Sequence, residues 1–167
     1  MRLIACTEEA HSGAILNEAI VTSTALYDYK PRTPENMVAW FATKRANGFP
    51  VIGAEDESGK LLGFASYGAF PAYKYTVEHS VYVDSGHRGA GLGRTLMEAI
   101  IAEAIARDVH VMVGAIDAAN AGSIGLHERL GFEHSGTVRQ AGFKFGRWLD
   151  VAFYQRILST PLNPVDG

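Results

Sequence analysis

The spacing of hydrophobic positions changes period sharply between Tyr75 and Ala104. The stretch up to Val83 is short, β-branched and aromatic, which predicts a strand over Tyr75 to Val83. Asp84-Ser85-Gly86 then reads as a turn. From Leu92 onward the apolar spacing is helical. Leu92, Leu96, Ile100 and Ala104 recur at i,i+4, with Met97, Ile101 and Ile105 beside them. Between strand and helix lies Arg88-Gly89-Ala90-Gly91-Leu92-Gly93.

The same reading extends over the rest of the chain. Arg2 to Cys6 predicts a first strand. Thr7 is placed to cap a helix, Glu8 and Glu9 suit its positive end, and Ile15, Leu16 and Ile20 give its apolar face. Val21 to Arg32, with Tyr27 and Tyr29, is irregular. Thr33-Pro34-Glu35 opens a second helix with Met37, Trp40, Phe41 and Lys44 on one face, and Asn47-Gly48 ends it. Tyr27, Trp40 and Phe41 are either pocket-lining or core aromatics. Val51 to Ala54 and Leu61 to Tyr67 are strands joined by the polar turn Glu55 to Lys60. Val109 to Ile116 is a strand, Asn120 caps a helix that stops at Gly131, and strands follow at Glu133 to Val138 and Leu149 to Ile157. The segment Gly142 to Trp148 connects these two. The order β, α, α, three β, α, β, α, β, β predicts an α/β fold with a mixed sheet and helices on both faces.

Length and composition narrow the class. A chain of 167 residues is one domain, expected over residues 1–160, with 161–167 a loose tail. A net charge of −3 gives no footing for nucleic acid or an anionic membrane. No apolar run approaches the length of a membrane span, and no signal peptide is visible at the N-terminus. Cys6 is the only cysteine, so a disulfide framework is excluded and a cytoplasmic setting is expected. The histidines His11, His87, His110 and His134 show no metal spacing, and no metal is expected.

The glycine-rich segment is where chemistry enters. Glycines let backbone N–H groups turn into one concavity, and the helix that follows adds its unpaired amides and positive dipole end. Such a loop suits a pyrophosphate. It is not a Walker A loop, because Gly93 is followed by Arg94-Thr95 rather than Lys-Ser/Thr. It is not a Rossmann fingerprint either: from Gly89 or Gly91 the third glycine falls on Arg94 or Leu96.

Arg88, Gly91 and Gly93 fill the pattern R-x-x-G-x-G, which resembles the acetyl-CoA loop of the GNAT N-acetyltransferases. Asn120-x-x-Ser123-x-x-x-His127-x-x-x-Gly131-Phe132 looks like the second motif of that superfamily, with His127 where Tyr is usual. Thr76 to Val83 and Gly142 to Asp150 are similar to the phosphinothricin and methionine sulfoximine acetyltransferases, and His110 to Val113 with Lys144 to Asp150 to the methionine sulfoximine/sulfone branch. The resemblance covers nearly the whole chain. It implies a GNAT-type, mostly antiparallel central sheet, acetyl-CoA as acetyl donor, a small amino-acid-like amine as acceptor, and a homodimer. One departure stands out. That branch carries an Arg-containing insertion before the position of Thr76, whereas Ala69 to Tyr75 is shorter and offers only Lys74.

Acyl transfer to an amine sets the roles. Glu78 is the candidate base, because α-amines are mostly protonated near pH 7 and a carboxylate can take the proton directly or through water. Strand alternation puts Glu78 on one face with Ser80 and Tyr82, and His79 on the other, where it reads as structural. Backbone N–H groups of Val81, Tyr82 and Val83 are candidates for the oxyanion and the pantetheine arm, if the strand parts from its neighbour. Arg88, Gly89, Ala90, Gly91, Leu92, Gly93 and Arg94 would hold the pyrophosphate. His127 is the candidate acid for the leaving thiolate, or a core histidine. Asn120 and Ser123 are cofactor-side candidates; Asn120 would bond the pantetheine amides, although it also serves as a cap. Lys74, Tyr27, Lys144 and Arg147 are the substrate-side candidates, the cations for a carboxylate beside the amine. Cys6 lies outside every motif, so direct attack is expected rather than a covalent acyl-enzyme. A protein N-terminus as acceptor, or a non-catalytic acyl-CoA-binding role, are the alternatives.

Overall fold

The computed structural model describes residues 1–7, 12–26 and 28–166. The expected elements are present: β1 (Arg2–Ala5), α1 (Ser12–Thr22), α2 (Pro34–Ala46), β2 (Val51–Glu55), β3 (Leu61–Ala69), β4 (Thr76–Val83), α3 (Leu92–Ala106), β5 (Val111–Asp117), α4 (Ala121–Arg129), β6 (Glu133–Lys144) and β7 (Arg147–Ile157). Glu8 and Glu9, expected at the positive end of the first helix, lie outside the described residues together with His11 and Tyr27. The seven strands run in the order β1-β2-β3-β4-β5-β7-β6. Pairs β1–β2, β2–β3, β5–β7 and β6–β7 are antiparallel, and β4–β5 is parallel. The sheet is therefore mixed and mostly antiparallel.

The chain forms two compact units, residues 1–67 with 80–100, and residues 68–79 with 101–167. In the first, Ile15, Leu16, Ala19 and Ile20 of α1 and Met37 and Phe41 of α2 bury against Leu61, Phe64 and Tyr82. The α2 start is a full capping box: Thr33 Oγ1 accepts from Asn36 N, and Asn36 Oδ1 accepts from Thr33 N. The opposite face of β3 meets α3. A Cβ on Gly63 would lie 2.7 Å from Tyr82 O and 3.1 Å from Leu96 Cδ1, so only glycine lets strand and helix come so near. Phe64 and Gly63 are successive residues and point to opposite faces, so helices cover both sides of this part of the sheet. A bulge opposite Ala54/Glu55 lets Leu61 share the face of Phe64.

In the second unit the β5–β7 ladder runs unbroken from Val111↔Ile157 to Asp117↔Val151. Met112, Ile116, Leu149, Val151 and Phe132 are buried there. Of the expected helical stripe, Leu92, Leu96, Ile100 and Ala104 are all buried, whereas Ile105 falls to the exposed side.

One expectation is corrected here. The segment Gly142 to Trp148 is not a connection between two short strands. β6 continues to Lys144, β7 begins at Arg147, and the turn is only Phe145-Gly146, with φ of 52° and 73°. This pair of left-handed residues makes the tight hairpin turn that matches strand twist. Side chains also hydrogen-bond toward the C-terminus. Tyr75 Oη donates to Val165 O at 3.2 Å and accepts from Val165 N at 3.0 Å, and Thr160 Oγ1 donates to Val109 O.

Candidate active site

The glycine loop sits between a one-turn 3₁₀ helix, Ser85–His87, and the first residue of α3. Asp84 closes the end of β4: its Oδ1 accepts from Gly86 N at 3.0 Å and from His87 Nδ1 at 2.8 Å. The His87 bond holds the Asp84 carboxyl below its ordinary range. Gly89 and Gly91 have φ of 81° and 82°, and nothing lies within 4 Å of a Cβ built on either. The loop therefore needs glycine for its backbone, and the space beside both residues is open. That openness and the N–H groups at the start of a 15-residue helix fit a pyrophosphate.

The loop's side chains behave differently from one another. Leu92 is buried and belongs to the core, so only its backbone can serve a ligand. Arg94 pairs with Glu98 at 2.7 Å along the helix. Arg88 turns back: its Nε donates to Val83 O at 3.1 Å and its Nη2 to Glu18 Oε2 at 2.7 Å. No signal in the loop motif marks Glu18 as its partner, because α1 lies 70 residues away in sequence.

On β4, Glu78 is exposed and His79 buried, as alternation requires. The parallel ladder to β5 pairs Thr76↔Val111, Val77↔Met112 and Glu78↔Val113, and ends there. Tyr82 packs its ring 5.3 Å from Phe64 and is a core side chain. Val81 and Val83 are half-buried, and the Val83 carbonyl holds Arg88.

His127 is 2% exposed. Its Nδ1 lies 2.7 Å from Ser123 O, and its Nε2 lies 3.0 Å from Nε2 of His79. Burial lowers the pKa of His127, against a smaller raising by the Ser123 carbonyl. Burial, and then the charge of His127, push His79 down to about 3. Both imidazoles are neutral near pH 7, so the imidazolium acid expected at His127 is disfavoured in this arrangement. Asn120 caps α4, its Oδ1 accepting from Ser123 N at 3.0 Å.

The cationic candidates lie apart in role. Lys74 Nζ donates to Asp166 O at 3.2 Å and Val165 O at 3.4 Å. Lys144 and Arg147 face each other across the β6–β7 turn; Lys144 is buried, and Arg147 is exposed with its Nη2 3.9 Å from Asp117. In the other unit, Trp40 lines an open cavity of about 410 Å³ with Arg32, Asn36, Ala39 and Thr43, while Phe41 is core. Burial raises the Cys6 thiol to about 11, so it is protonated and a poor nucleophile. No group of three His, Cys, Asp or Glu side chains among the described residues is arranged to hold a metal ion.

The two motifs, the sheet and the open glycine loop leading into α3 are those expected from the resemblance to the N-acetyltransferases. The acetyltransferase (GNAT) family model matches residues 16–132, and the chain belongs to that family. It is 50% identical over 145 residues to the L-methionine sulfoximine/L-methionine sulfone acetyltransferase of Pseudomonas aeruginosa, covering 85% of this chain and 84% of that protein. A solved structure from Acinetobacter baylyi ADP1 matches with TM-score 0.96 at 63% identity, over 99% of this chain and 97% of the other. The Sinorhizobium meliloti phosphinothricin acetyltransferase in complex with AcCoA matches with TM-score 0.94 at 34% identity, over 99% and 94%.

Proposed function

We propose that the protein transfers an acetyl group from acetyl-CoA to the α-amine of a small amino-acid-like substrate of the methionine sulfoximine, methionine sulfone or phosphinothricin type. The observation that carries the donor half is the Arg88–Gly93 loop, open beside two left-handed glycines at the start of α3. The acceptor half rests on the 50% identity to a methionine sulfoximine/sulfone acetyltransferase. In this reading Glu78 takes the proton from the amine, directly or through a water. The backbone N–H groups of Val81–Val83 receive the pantetheine arm and the oxyanion, and the ladder that ends at Glu78 is consistent with that. The neutral amine attacks the thioester carbon, the tetrahedral intermediate collapses, and the thiolate leaves. His127 remains the nearest counterpart of the family acid by sequence. Lys74, Lys144 and Arg147 are the candidate anchors of the substrate carboxylate.

The enzyme is read as cytoplasmic and homodimeric. Phe143, Phe145 and Trp148, exposed around the β6–β7 turn, favour an apolar contact there. Among the described residues no helix is long and apolar enough to cross a membrane.

The deciding experiment incubates the protein with acetyl-CoA and a panel of methionine sulfoximine, methionine sulfone, phosphinothricin, their carboxyl-amidated forms and a short peptide, following thiol release. Turnover of the free amino acids supports the reading. Turnover of the peptide alone assigns a protein N-terminus instead, and acetyl-CoA binding without turnover assigns a sensor.

A further inference from the structure

The two buried imidazoles of His79 and His127 constrain each other's protons. Ser123 O is a carbonyl and can only accept, so Nδ1 of His127 carries the hydrogen in the 2.7 Å bond. A neutral His127 then has a bare Nε2. The 3.0 Å contact between the two Nε2 atoms requires the one hydrogen to come from His79. His79 Nδ1 is left as a buried acceptor with no partner among the described residues. The rings lie nearly parallel at 5.0 Å, and Phe132 meets both edge-on at 5.5 and 5.1 Å. Gly114 makes room for them: a Cβ there would lie 2.7 Å from Nε2 of His79 and 3.1 Å from Nε2 of His127. His79 and Gly114 are the positions that follow the last paired residues, Glu78 and Val113. The pair therefore stands at the end of the β4–β5 ladder.

We infer that His79 is a positioning residue: through its Nε2–H bond to His127, across Gly114, it fixes the strand that presents Glu78 to the helix that carries Asn120 and Ser123. This rests on Glu78 being the base. The peptide of His79 is shared with Glu78, and successive strand residues point to opposite faces. Pinning the buried ring of His79 thereby sets the direction of the exposed carboxylate of Glu78. The same bond holds His127 in its less common tautomer and draws α4 onto β4. Neither nitrogen of His127 offers a proton outward, so the pair serves geometry rather than acid catalysis.

Three full-chain variants and one spectrum test this. In wild type, a long-range ¹H–¹⁵N spectrum of the imidazoles should show His127 protonated at Nδ1 and His79 at Nε2. His79→Gln keeps an N–H donor near the Nε2 position and should stay within a few-fold of wild-type kcat. His79→Leu, checked for an intact fold by circular dichroism, should lose kcat by about 10- to 100-fold, the scale of a misplacement near 1 Å. Glu78→Gln should fall by about 10²- to 10⁴-fold. His127 protonated at Nε2, or wild-type kcat in His79→Leu beside a crippled Glu78→Gln, overturns the inference while sparing the base. A full-rate Glu78→Gln instead removes the base reading and the catalytic link with it, whatever the spectrum shows.

Discussion

Arg88 Nη2 lies 2.7 Å from Glu18 Oε2, so the first residue of the glycine motif is tied to α1. A carboxylate beside a loop suited to pyrophosphate competes for the same guanidinium. Both side chains are partly exposed, so the pair contributes only about 0–1 kcal/mol to folding. Glu18→Gln should therefore leave thermal stability nearly unchanged while acetyl-CoA binds a few-fold tighter at low salt, an advantage that shrinks as salt screens the charges. Calorimetric titration at two ionic strengths measures this. Weaker binding in Glu18→Gln would mean that Glu18 orients Arg88 for the ligand instead of competing for it.

Gly91 is the sharper test of the loop. Its φ of 82° is a conformation that valine adopts only under strain, and the space beside it is open. Holding valine in the left-handed region costs on the order of 1–2 kcal/mol, so Gly91→Val should flip the backbone and redirect the N–H groups proposed to hold the pyrophosphate. Acetyl-CoA affinity should collapse while the circular dichroism spectrum is retained. Wild-type affinity would show that the pyrophosphate lies elsewhere.

The buried histidines give stability a pH slope with a definite sign. Unfolded, a histidine titrates near 6.5. Folded, His79 is pushed down to about 3, chiefly by burial, and His127 is lowered as well. The unfolded chain thus binds more protons just below pH 6.5, so their contribution is fully present above that pH. It is lost as pH falls toward the folded values, at no more than roughly 1.4 kcal/mol per pH unit for each histidine. Urea midpoints should drop between pH 7 and pH 5, and His79→Gln should flatten that drop. An unchanged slope in the variant would mean that His79 is already charged in the folded protein.

Legibility followed how local each signal is. The β4–loop–α3 unit could be read because the period switches inside one short stretch and the glycines mark the break. β6 past Val138 could not. It is an edge strand with most positions exposed, and a bulge between Val138 and Gly142 places Gln140 at φ 51°. Alternation is interrupted there, and Asp150 Oδ1 holds the bulge by accepting from Gln140 N at 2.8 Å. Lys144 and Arg147 were thus expected in a loop and are strand residues. For the histidines, alternation separated His79 from Glu78. Its contact with His127, 48 residues on, depends on the packing of α4. The small residue Gly114 was the only trace of that contact, and a glycine inside a strand has several readings.

Lys74 ties the substrate question to the tail. Its ammonium donates to the carbonyls of Val165 and Asp166 and lies 5.2 Å from the ring centroid of Tyr75. Backbone carbonyls are neutral acceptors, and a substrate carboxylate would compete with them for the ammonium because it adds a full opposite charge to the hydrogen bond. If Lys74 anchors that carboxylate, the tail occupies the anchor and weakens it. Removing residues 162–167 should lower KM for methionine sulfone by a few-fold and leave its carboxyl-amidated form unaffected. Lys74→Ala should raise KM for the free acid and cancel the gain from truncation, since a variant without the ammonium has nothing for the tail to hold. Lys74→Arg should bind the free acid more tightly than wild type, because a planar guanidinium can make two parallel bonds where an ammonium acts as a point charge. Steady-state kinetics on the two substrates with wild type, the truncated chain, Lys74→Ala in the full and the truncated chain, and Lys74→Arg decides it. If Lys74→Ala keeps the wild-type preference for the free carboxylate, the anchor is another cation, and Arg147, exposed beside the β6–β7 turn, becomes the next residue to change.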